Sequence, residues 1–221
     1  PKASQAKSGV SAKKVYTYAD YCTWPEEERW ELLDGEAFAM TPGPGPDHQR
    51  FSRKLCFQIQ SFLEDKSCEM FCAPFDVLLP KTDEVDEEVI TVLQPDIMVV
   101  CGAEKITPRS IRGAPDFVIE ILSPPSASKD QIRKRRLYER HGVKEYWVID
   151  PDERLVWVYR RRLGQTKNSA AKIALEFEAV KVMEADKLKL EAQAIPGLSI
   201  DFDRVFPPNP RIVRESPRKY L

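Results

Sequence analysis

The sequence predicts an α/β fold with a mixed central sheet flanked by helices and with extra antiparallel strands. The first observation is a strand–helix–strand order in the second half of the chain: PDFVIEIL, then KDQIRKRRLYERH, then KEYWVID. This order implies a right-handed parallel crossover. The second observation is the strand-like RLVWVYRR, which the turn residues DPDE make an antiparallel neighbour. A sheet with both kinds of neighbour is therefore expected.

The composition is that of a soluble globular protein. Of 221 residues, 42% are hydrophobic and 31% are charged, which is ordinary for a folded domain. No apolar run approaches the roughly 20 residues that a membrane span requires, so we expect a cytoplasmic protein with no membrane partner. The net charge of -1 argues against a generally basic nucleic-acid binder, but it leaves room for a local basic patch.

One domain is expected between two irregular ends. Residues 1–14 are basic and rich in small residues, which predicts a flexible arm rather than a secretory signal. Residues 15–206 carry the periodic segments and are predicted to form a single domain. Residues 207–221 are rich in proline, which predicts an irregular tail.

The cysteines do not indicate a zinc site. No CxxC pair is present, and neither His48 nor His141 sits beside a pair of cysteines. Free thiols in a reducing cytoplasm are the expected state. The five cysteines occupy positions 22, 56, 68, 72 and 101.

A hairpin is expected early in the chain, after a short helix, because Asp34 and Gly35 stand between two apolar segments. The loop TPGPGPDH follows it. Its glycines resemble a phosphate-binding loop only superficially, because prolines lack the N–H groups that such a loop needs. We therefore do not expect a nucleotide-binding site there.

A helix is predicted over roughly residues 48–65, with Asp47 as its N-cap. Strands are expected near 70–80 and 94–101, and the acidic KTDEVDEE between them is most simply a solvated hairpin loop. Two later segments, ALEFEAVKV and KLKLEAQ, alternate like additional strands. The core-facing stripe of the helix is predicted to consist of Phe51, Leu55, Ile59 and Phe62.

Two acids form the candidate chemical site. Glu120 interrupts an apolar strand, where a charged carboxylate is costly unless a cation compensates it. Asp96 belongs to another predicted strand, and neighbouring strands lie about 5 Å apart, so the two acids are expected to share one divalent cation. Two carboxylates and a backbone carbonyl suit Mg²⁺ with several waters. Asp116 is a weaker partner, roughly 13 Å from Glu120 along its strand.

Lys134 is the candidate cation of the protein itself. On the helix after the Glu120 strand, Asp130, Lys134 and Tyr138 recur every four residues and share one flank. A parallel crossover packs this helix on the sheet. Lys134 is therefore expected to reach the carboxylates.

Structural explanations stay open for each of these residues. Asp96 alternatively caps a turn, and Glu120 alternatively forms a buried ion pair with Lys134 or an arginine. Lys134 alternatively makes an ordinary surface pair with Asp130. The basic residues of this helix are spread around it, which fits a solvated helix as well as a DNA-tracking surface.

These residues together resemble the PD-(D/E)XK, restriction-endonuclease-like superfamily, and more narrowly the Uma-two family of bacterial endonucleases. The resemblance covers roughly residues 16–160, through ELLDGE, MTPGPGPDH, QPDIMVV, FVIEILSP, KDQIRKRRLY and GVKEYWVIDP. It implies a restriction-endonuclease-like fold that cleaves nucleic acid, with DNA as the expected substrate. One departure is Leu122, which stands where the superfamily has lysine; in the narrower family the lysine has moved to the following helix.

The resemblance also implies roles at the site. Asp96 and Glu120 would be ligands of Mg²⁺ or Mn²⁺, and the Ile121 carbonyl would be a third ligand. Lys134 would position or activate the attacking water. Together these residues would form the centre of a phosphodiester-hydrolysing site.

Further side chains are expected near this centre. The superfamily places an additional acid close to the metal, and Glu36 of the DGE sequence is the first candidate, with Glu31 as its rival. His48 matches the histidine position of the family but is alternatively a plain helix-start residue, and Tyr138 is alternatively a packing residue. The residues expected to line the site are Glu31, His48, Gln94, Asp130 and Tyr138.

Other functions stay open. A catalytically silent nuclease-fold module that binds nucleic acid or a protein is the main alternative, because position 122 lacks the usual lysine. A hydrolase of a small phosphate ester would use the same residues but would not bind DNA. A homodimer would be the simplest arrangement for cutting both strands of a duplex.

Overall fold

The computed structural model describes residues 14–25, 27–40, 45–123, 129–162 and 176–207. This part of the chain contains three α-helices: α1 (Tyr18–Tyr21), α2 (Pro46–Leu63) and α3 (Lys129–His141). It also contains the strands β1 (Trp30–Leu33), β2 (Glu36–Ala39), β3 (Glu69–Cys72), β4 (Asp76–Leu78), β5 (Val92–Leu93), β6 (Ile97–Val100), β7 (Ser110–Arg112), β8 (Phe117–Ile121), β9 (Glu145–Asp150), β10 (Leu155–Arg160), β11 (Lys181–Glu184), β12 (Lys189–Glu191) and β13 (Ser199–Asp201).

A mixed six-stranded sheet forms the centre, in the order β11-β10-β9-β8-β6-β3. Among the described residues, β8 and β9 are the one parallel pair of this sheet, and α3 connects these two strands. The predicted strand–helix–strand crossover and the predicted antiparallel neighbour β10 are both present. The predicted fold class, a mixed sheet flanked by helices with extra antiparallel strands, is confirmed.

A second sheet has the order β2-β1-β5-β4-β7, and β12 pairs with β13 in a small ribbon. The predicted hairpin at Asp34 and Gly35 joins β1 to β2, and both turn residues have positive φ. The single strand predicted near 70–80 is wrong. It is divided into β3 and β4, which belong to different sheets, with Ala73 and Pro74 between them.

Helix α2 covers one face of the central sheet. Phe51, Leu55 and Ile59 are buried as predicted, but Leu63 rather than Phe62 completes the buried stripe. The predicted N-cap is wrong as well. Gly45 is the N-cap, and Pro46 begins the helix, where its missing N–H costs nothing.

Helix α3 covers the opposite face of the same sheet. Leu137 and Tyr138 are buried there against Val118 and Val148, which lie on β8 and β9. The two helices thus enclose the sheet, and the side chains of β8 alternate between their two faces. Any residue that neighbours Val118 at a two-residue spacing therefore faces α3.

The expectation that all cysteines are free is wrong for two of them. Cys68 and Cys101 form a disulfide, because they continue the antiparallel ladder of β3 and β6 beyond the pair Glu69–Val100. The cysteines at positions 22, 56 and 72 are free. The sequence could not reveal this pairing, since the partners are 33 residues apart.

The predicted ends of the domain stay predictions. Of the predicted arm, only Lys14 lies in the described part of the chain, and of the predicted tail only Pro207 does. Residues 41–44 of the proline-glycine loop also lie outside it. Among the described residues, no helix has the length and apolar character that crossing a bilayer requires.

Candidate active site

Asp96 and Glu120 are neighbours across the central sheet. Strands β6 and β8 are antiparallel, with Ile97 opposite Ile119. Continuing this register by one residue sets Asp96 opposite Glu120, and residues directly opposite each other share one face of a sheet. The Ile121 N–H also donates to Asp96 Oδ2 at 2.8 Å. The two acids, 24 positions apart in the chain, therefore lie together as predicted.

Helix α3 brings two polar groups to Glu120. Lys134 Nζ lies 3.1 Å from Glu120 Oε1, and the Tyr138 hydroxyl donates to the same oxygen at 2.9 Å. These residues are four apart and lie on one side of the helix. Glu120 is 9% exposed, so this carboxylate has its partners in a nearly water-free environment. The predicted approach of Lys134 to the carboxylates is observed.

Glu31 is the second acid that contacts Lys134. Its Oε1 atom lies 2.9 Å from Lys134 Nζ and accepts the Gln94 backbone N–H at 2.8 Å. Glu31 is 5% exposed. Lys134 thus connects two buried carboxylates, one on β1 and one on β8.

Glu36, the first candidate for the additional acid, lies outside this group. It is opposite Leu33 in the β1–β2 hairpin, two pairs closer to the turn than Glu31 and therefore roughly 7 Å further along the strand. Its carboxylate pairs with Arg133 at 3.3 Å. The structure therefore brings Glu31, and not Glu36, to Lys134.

His48 approaches Asp96 from the first turns of α2. Its Nε2 atom lies 3.1 Å from Asp96 Oδ2. The other ring nitrogen, Nδ1, is buried and has no hydrogen-bond partner among the described residues. Burial opposes protonation of the ring, but the hydrogen bond and charge of Asp96, together with Glu120, raise the pKa of His48. His48 therefore belongs to the site.

The charges of the group influence each other strongly. Burial raises the pKa of Glu120 to about 7; Lys134 opposes this shift, and Asp96 and Glu31 add to it. Burial of Lys134 disfavours its charge, but the carboxylates of Glu120 and Glu31 raise its pKa, so its ammonium group stays charged. The site is thus a pair of buried acids, Glu31 and Glu120, that share one cation, with the partly exposed Asp96 beside them.

Three predicted residues remain: Gln94, Asp130 and Ile121. Gln94 contributes its backbone to the site, but its side chain accepts from Arg29 and donates to Asp76. Asp130 is in α3, and its side chain lies outside the described part of the structure. The role of the Ile121 carbonyl stays a prediction, although its peptide contacts Asp96 through the N–H group.

Several cations of α3 are engaged in ion pairs. Arg133 pairs with Glu36, Arg135 with Glu139, and Arg140 with Asp34. These contacts favour the interpretation of a solvated, salt-bridged helix over that of a dedicated DNA-tracking surface.

The carboxylates of Asp96 and Glu120 suit a hard cation that retains several waters better than a metal ion bound entirely by protein side chains. No group of three or more His, Cys, Asp or Glu side chains in the described residues is arranged to hold a metal ion. Hydrogen bonds from the described residues reach Oδ2 of Asp96 and Oε1 of Glu120, which leaves the second oxygen of each carboxylate for a cation. Mg²⁺ is commonly held by one or two carboxylates with retained waters.

A cleft of about 560 Å³ lies beside the β1–β2 hairpin. It was not predicted from the sequence. Three aromatic rings line it, with the Trp24 and Trp30 centroids 5.2 Å apart and the Tyr16 and Trp24 centroids 5.4 Å apart. The aromatic density of YTYADYCTWPEEERW was its only signal. Glu36 belongs to the lining of this cleft, whereas Glu31, Asp96, Glu120 and Lys134 do not.

Comparisons with known proteins give one family match, one related sequence and one structure of similar fold. The model of the Uma2 family, described as "Putative restriction endonuclease", matches residues 17–199. An uncharacterized protein, slr1290, from Synechocystis sp. (strain ATCC 27184 / PCC 6803 / Kazusa) is 24% identical over 132 residues, which are 59% of this chain and 65% of that protein. The match thus spans less than two thirds of that relative.

A solved structure shares the fold. The crystal structure described as a putative nuclease belonging to DUF820, from Anabaena variabilis ATCC 29413, superposes with a TM-score of 0.64. It is 21% identical in sequence, and the match covers 86% of this chain and 97% of that one. At this identity the likeness shows a common fold.

Proposed function

The chain belongs to the Uma2 family, and from this premise we propose that it is a metal-dependent endonuclease that hydrolyses phosphodiester bonds of DNA. One observation carries the proposal: Asp96, directly before β6, lies across the sheet from Glu120 on β8, and Glu120 contacts the ammonium group of Lys134. This combination of carboxylates and a fixed cation is suited to phosphoryl chemistry. The family description supports the same reaction class.

Asp96 and Glu120 would hold one Mg²⁺ or Mn²⁺ ion, with the Ile121 carbonyl as a further oxygen ligand. When bound, the ion would polarise a phosphoryl oxygen and lower the pKa of a coordinated water. Tyr138 donates to Glu120 Oε1 and thereby orients that carboxylate. The Asp96 carboxylate is oriented in the same way by the Ile121 N–H and by His48.

Lys134 would hold the attacking water. An ammonium group has three N–H donors, and the contacts with Glu31 and Glu120 use two of them. The third donor is then available for a water or a phosphate oxygen. Glu31 fixes the position of Lys134, so it acts through the lysine as a positioning residue.

The proposal is tested by cleavage of supercoiled plasmid DNA in Mg²⁺ or Mn²⁺, with chelator as the blank. Asp96→Asn and Glu120→Gln should each abolish metal-dependent nicking and linearisation while circular dichroism shows a folded protein. Glu36→Gln is the matched control, since it removes an acid outside the group. Unchanged cleavage by folded Asp96→Asn would end the proposal. Linear product at low turnover would favour action as a homodimer.

A second candidate is a silent nuclease-fold module that binds nucleic acid or a protein partner. It is favoured by the lack of a three-ligand group among the described residues and by the double pairing of Lys134. Titration calorimetry with Mn²⁺ separates the two candidates. Heat of binding that disappears in Asp96→Asn supports the enzyme, and no binding at millimolar Mn²⁺ supports the silent module.

A further inference from the structure

We propose that Cys56 and Cys72 form a redox-modification site, at which a small disulfide such as oxidised glutathione converts the two thiols into an intramolecular disulfide. Their sulfur atoms lie 3.1 Å apart. Both residues are free cysteines and are partly exposed. The site is separate from the Cys68–Cys101 disulfide.

The contact is built into the fold. Cys56 lies on α2 directly after the fully buried Leu55, and Cys72 is the last residue of β3, opposite Ile97. A disulfide bond is about 2.05 Å long, so the two sulfurs need to approach by roughly 1 Å. Rotation of the two side chains is expected to supply this movement.

The chemistry balances as thiol–disulfide exchange. The Cys56 thiolate attacks one sulfur of oxidised glutathione, forms a mixed disulfide and releases one glutathione thiol. The Cys72 thiolate then attacks the Cys56 sulfur and releases the second glutathione. Two protein thiols are oxidised, the glutathione disulfide takes up the two electrons, and the two protons end on the released glutathiones.

The neighbouring thiol favours Cys56 as the first nucleophile. The contact with Cys72 lowers the pKa of Cys56 to about 7, and burial opposes this shift. The same contact, together with burial, raises the pKa of Cys72, so Cys72 is the second and not the first thiol to react. A thiol with a lowered pKa has a larger thiolate fraction near neutral pH. The short distance between the sulfurs then favours closure over a lasting mixed disulfide.

The disulfide would tie together two elements that carry the acid site. Helix α2 bears His48, and the residue after Cys72, Ala73, donates its N–H to the Asp96 carbonyl at 3.1 Å. Oxidation would therefore join the helix of His48 covalently to the segment that supports Asp96. This inference concerns the thiols alone and holds whether or not the chain cleaves DNA.

The test uses the full chain carrying Cys22→Ser, which leaves Cys56 and Cys72 as the free thiols beside the existing disulfide. After equilibration with oxidised glutathione, alkylation and mass spectrometry should find no free thiol and a loss of two hydrogens. Peptide mapping without reduction should find the peptides that contain Cys56 and Cys72 linked by a disulfide. Two alkylated thiols, or a lasting glutathione adduct, would overturn the proposal.

A matched variant supplies the second measurement. With Cys72→Ser added, Cys56 should retain glutathione, since the resolving thiol is gone. The melting temperature should rise by several degrees on oxidation of the two-thiol protein, because the bond closes a loop in the unfolded chain. The same treatment should not raise it in the Cys72→Ser variant. Equal shifts in both proteins would contradict the proposal.

Discussion

The Lys134 ammonium nitrogen lies 2.9 Å from Glu31 Oε1, although the two residues are separated by about half of the chain. The same nitrogen lies 3.1 Å from Glu120 Oε1. A cation held between two buried carboxylates has little freedom to move. Its remaining donor therefore has a defined direction, which is the property that a water-positioning group requires.

Glu31→Gln is expected to reduce DNA cleavage by about tenfold or more, equivalent to ~1.4 kcal/mol in the barrier, because Lys134 loses its anionic anchor. Glu36→Gln, which changes the acid paired with Arg133, should leave cleavage within about twofold of the unmodified protein. Steady-state nicking rates measure both. A larger loss of cleavage in Glu36→Gln than in Glu31→Gln would instead identify Glu36 as the additional acid of the site.

Lys134→Met is expected to lower the free energy of unfolding by ~3–5 kcal/mol near pH 8, because it leaves two buried carboxylates without their cation. Adding Glu120→Gln should recover part of this loss, since one uncompensated charge is removed with it. Urea unfolding of the two single variants and the double variant gives the coupling energy. Strict additivity would mean that Lys134 and Glu120 do not interact.

The stability should depend on pH through Glu120. Its pKa in the folded protein is raised to about 7 from an ordinary value of 4.5, so the folded state binds the proton more tightly than the unfolded state. The stabilisation that protonated Glu120 contributes is fully present below about pH 4.5 and is lost as the pH rises through about 7. The free energy of unfolding should thus fall by ~3 kcal/mol across this window relative to Glu120→Gln. A difference that does not vary with pH would contradict this prediction.

His48 should titrate above its ordinary pKa of 6.5, because Asp96 accepts a hydrogen bond from the ring. Asp96→Asn should lower that pKa. The chain has two histidines, and His141, whose burial lowers its pKa, serves as the internal control. Titration of the ring resonances by NMR measures both. An unchanged His48 pKa in Asp96→Asn would show that Asp96 does not set it.

Much of the site was predictable because its parts have local signatures. An acid within the apolar PDFVIEIL strand is unusual, and the helix that follows repeats polar residues every four positions. The family resemblance drawn from these segments is confirmed by the family match over residues 17–199. The fold class is confirmed by the structure and by the shared fold of the solved nuclease-like protein. The catalytic roles stay predictions.

Three predictions were wrong because the local residue pattern was compatible with more than one arrangement. The strand predicted near 70–80 looked continuous because β3 and β4 are both apolar, and only the sheet to which each belongs separates them. The N-cap was misplaced because Asp47 is a favourable cap by type, yet Pro46 already fits the first helical position. Composition alone favours free thiols, whereas the β3–β6 ladder sets Cys68 beside Cys101.

The local residue pattern is enough to predict strand β8 with its buried Glu120 and the following helix α3 with Lys134. These patterns depend only on residues that are close together in the chain. Pairing between distant segments cannot be encoded in this way. Whether Glu31 or Glu36 meets Lys134 depends on where hairpin β1–β2 lies against α3, and whether two thiols meet depends on how α2 packs on β3. Such choices arise from packing and register, which exist only once the whole chain has folded.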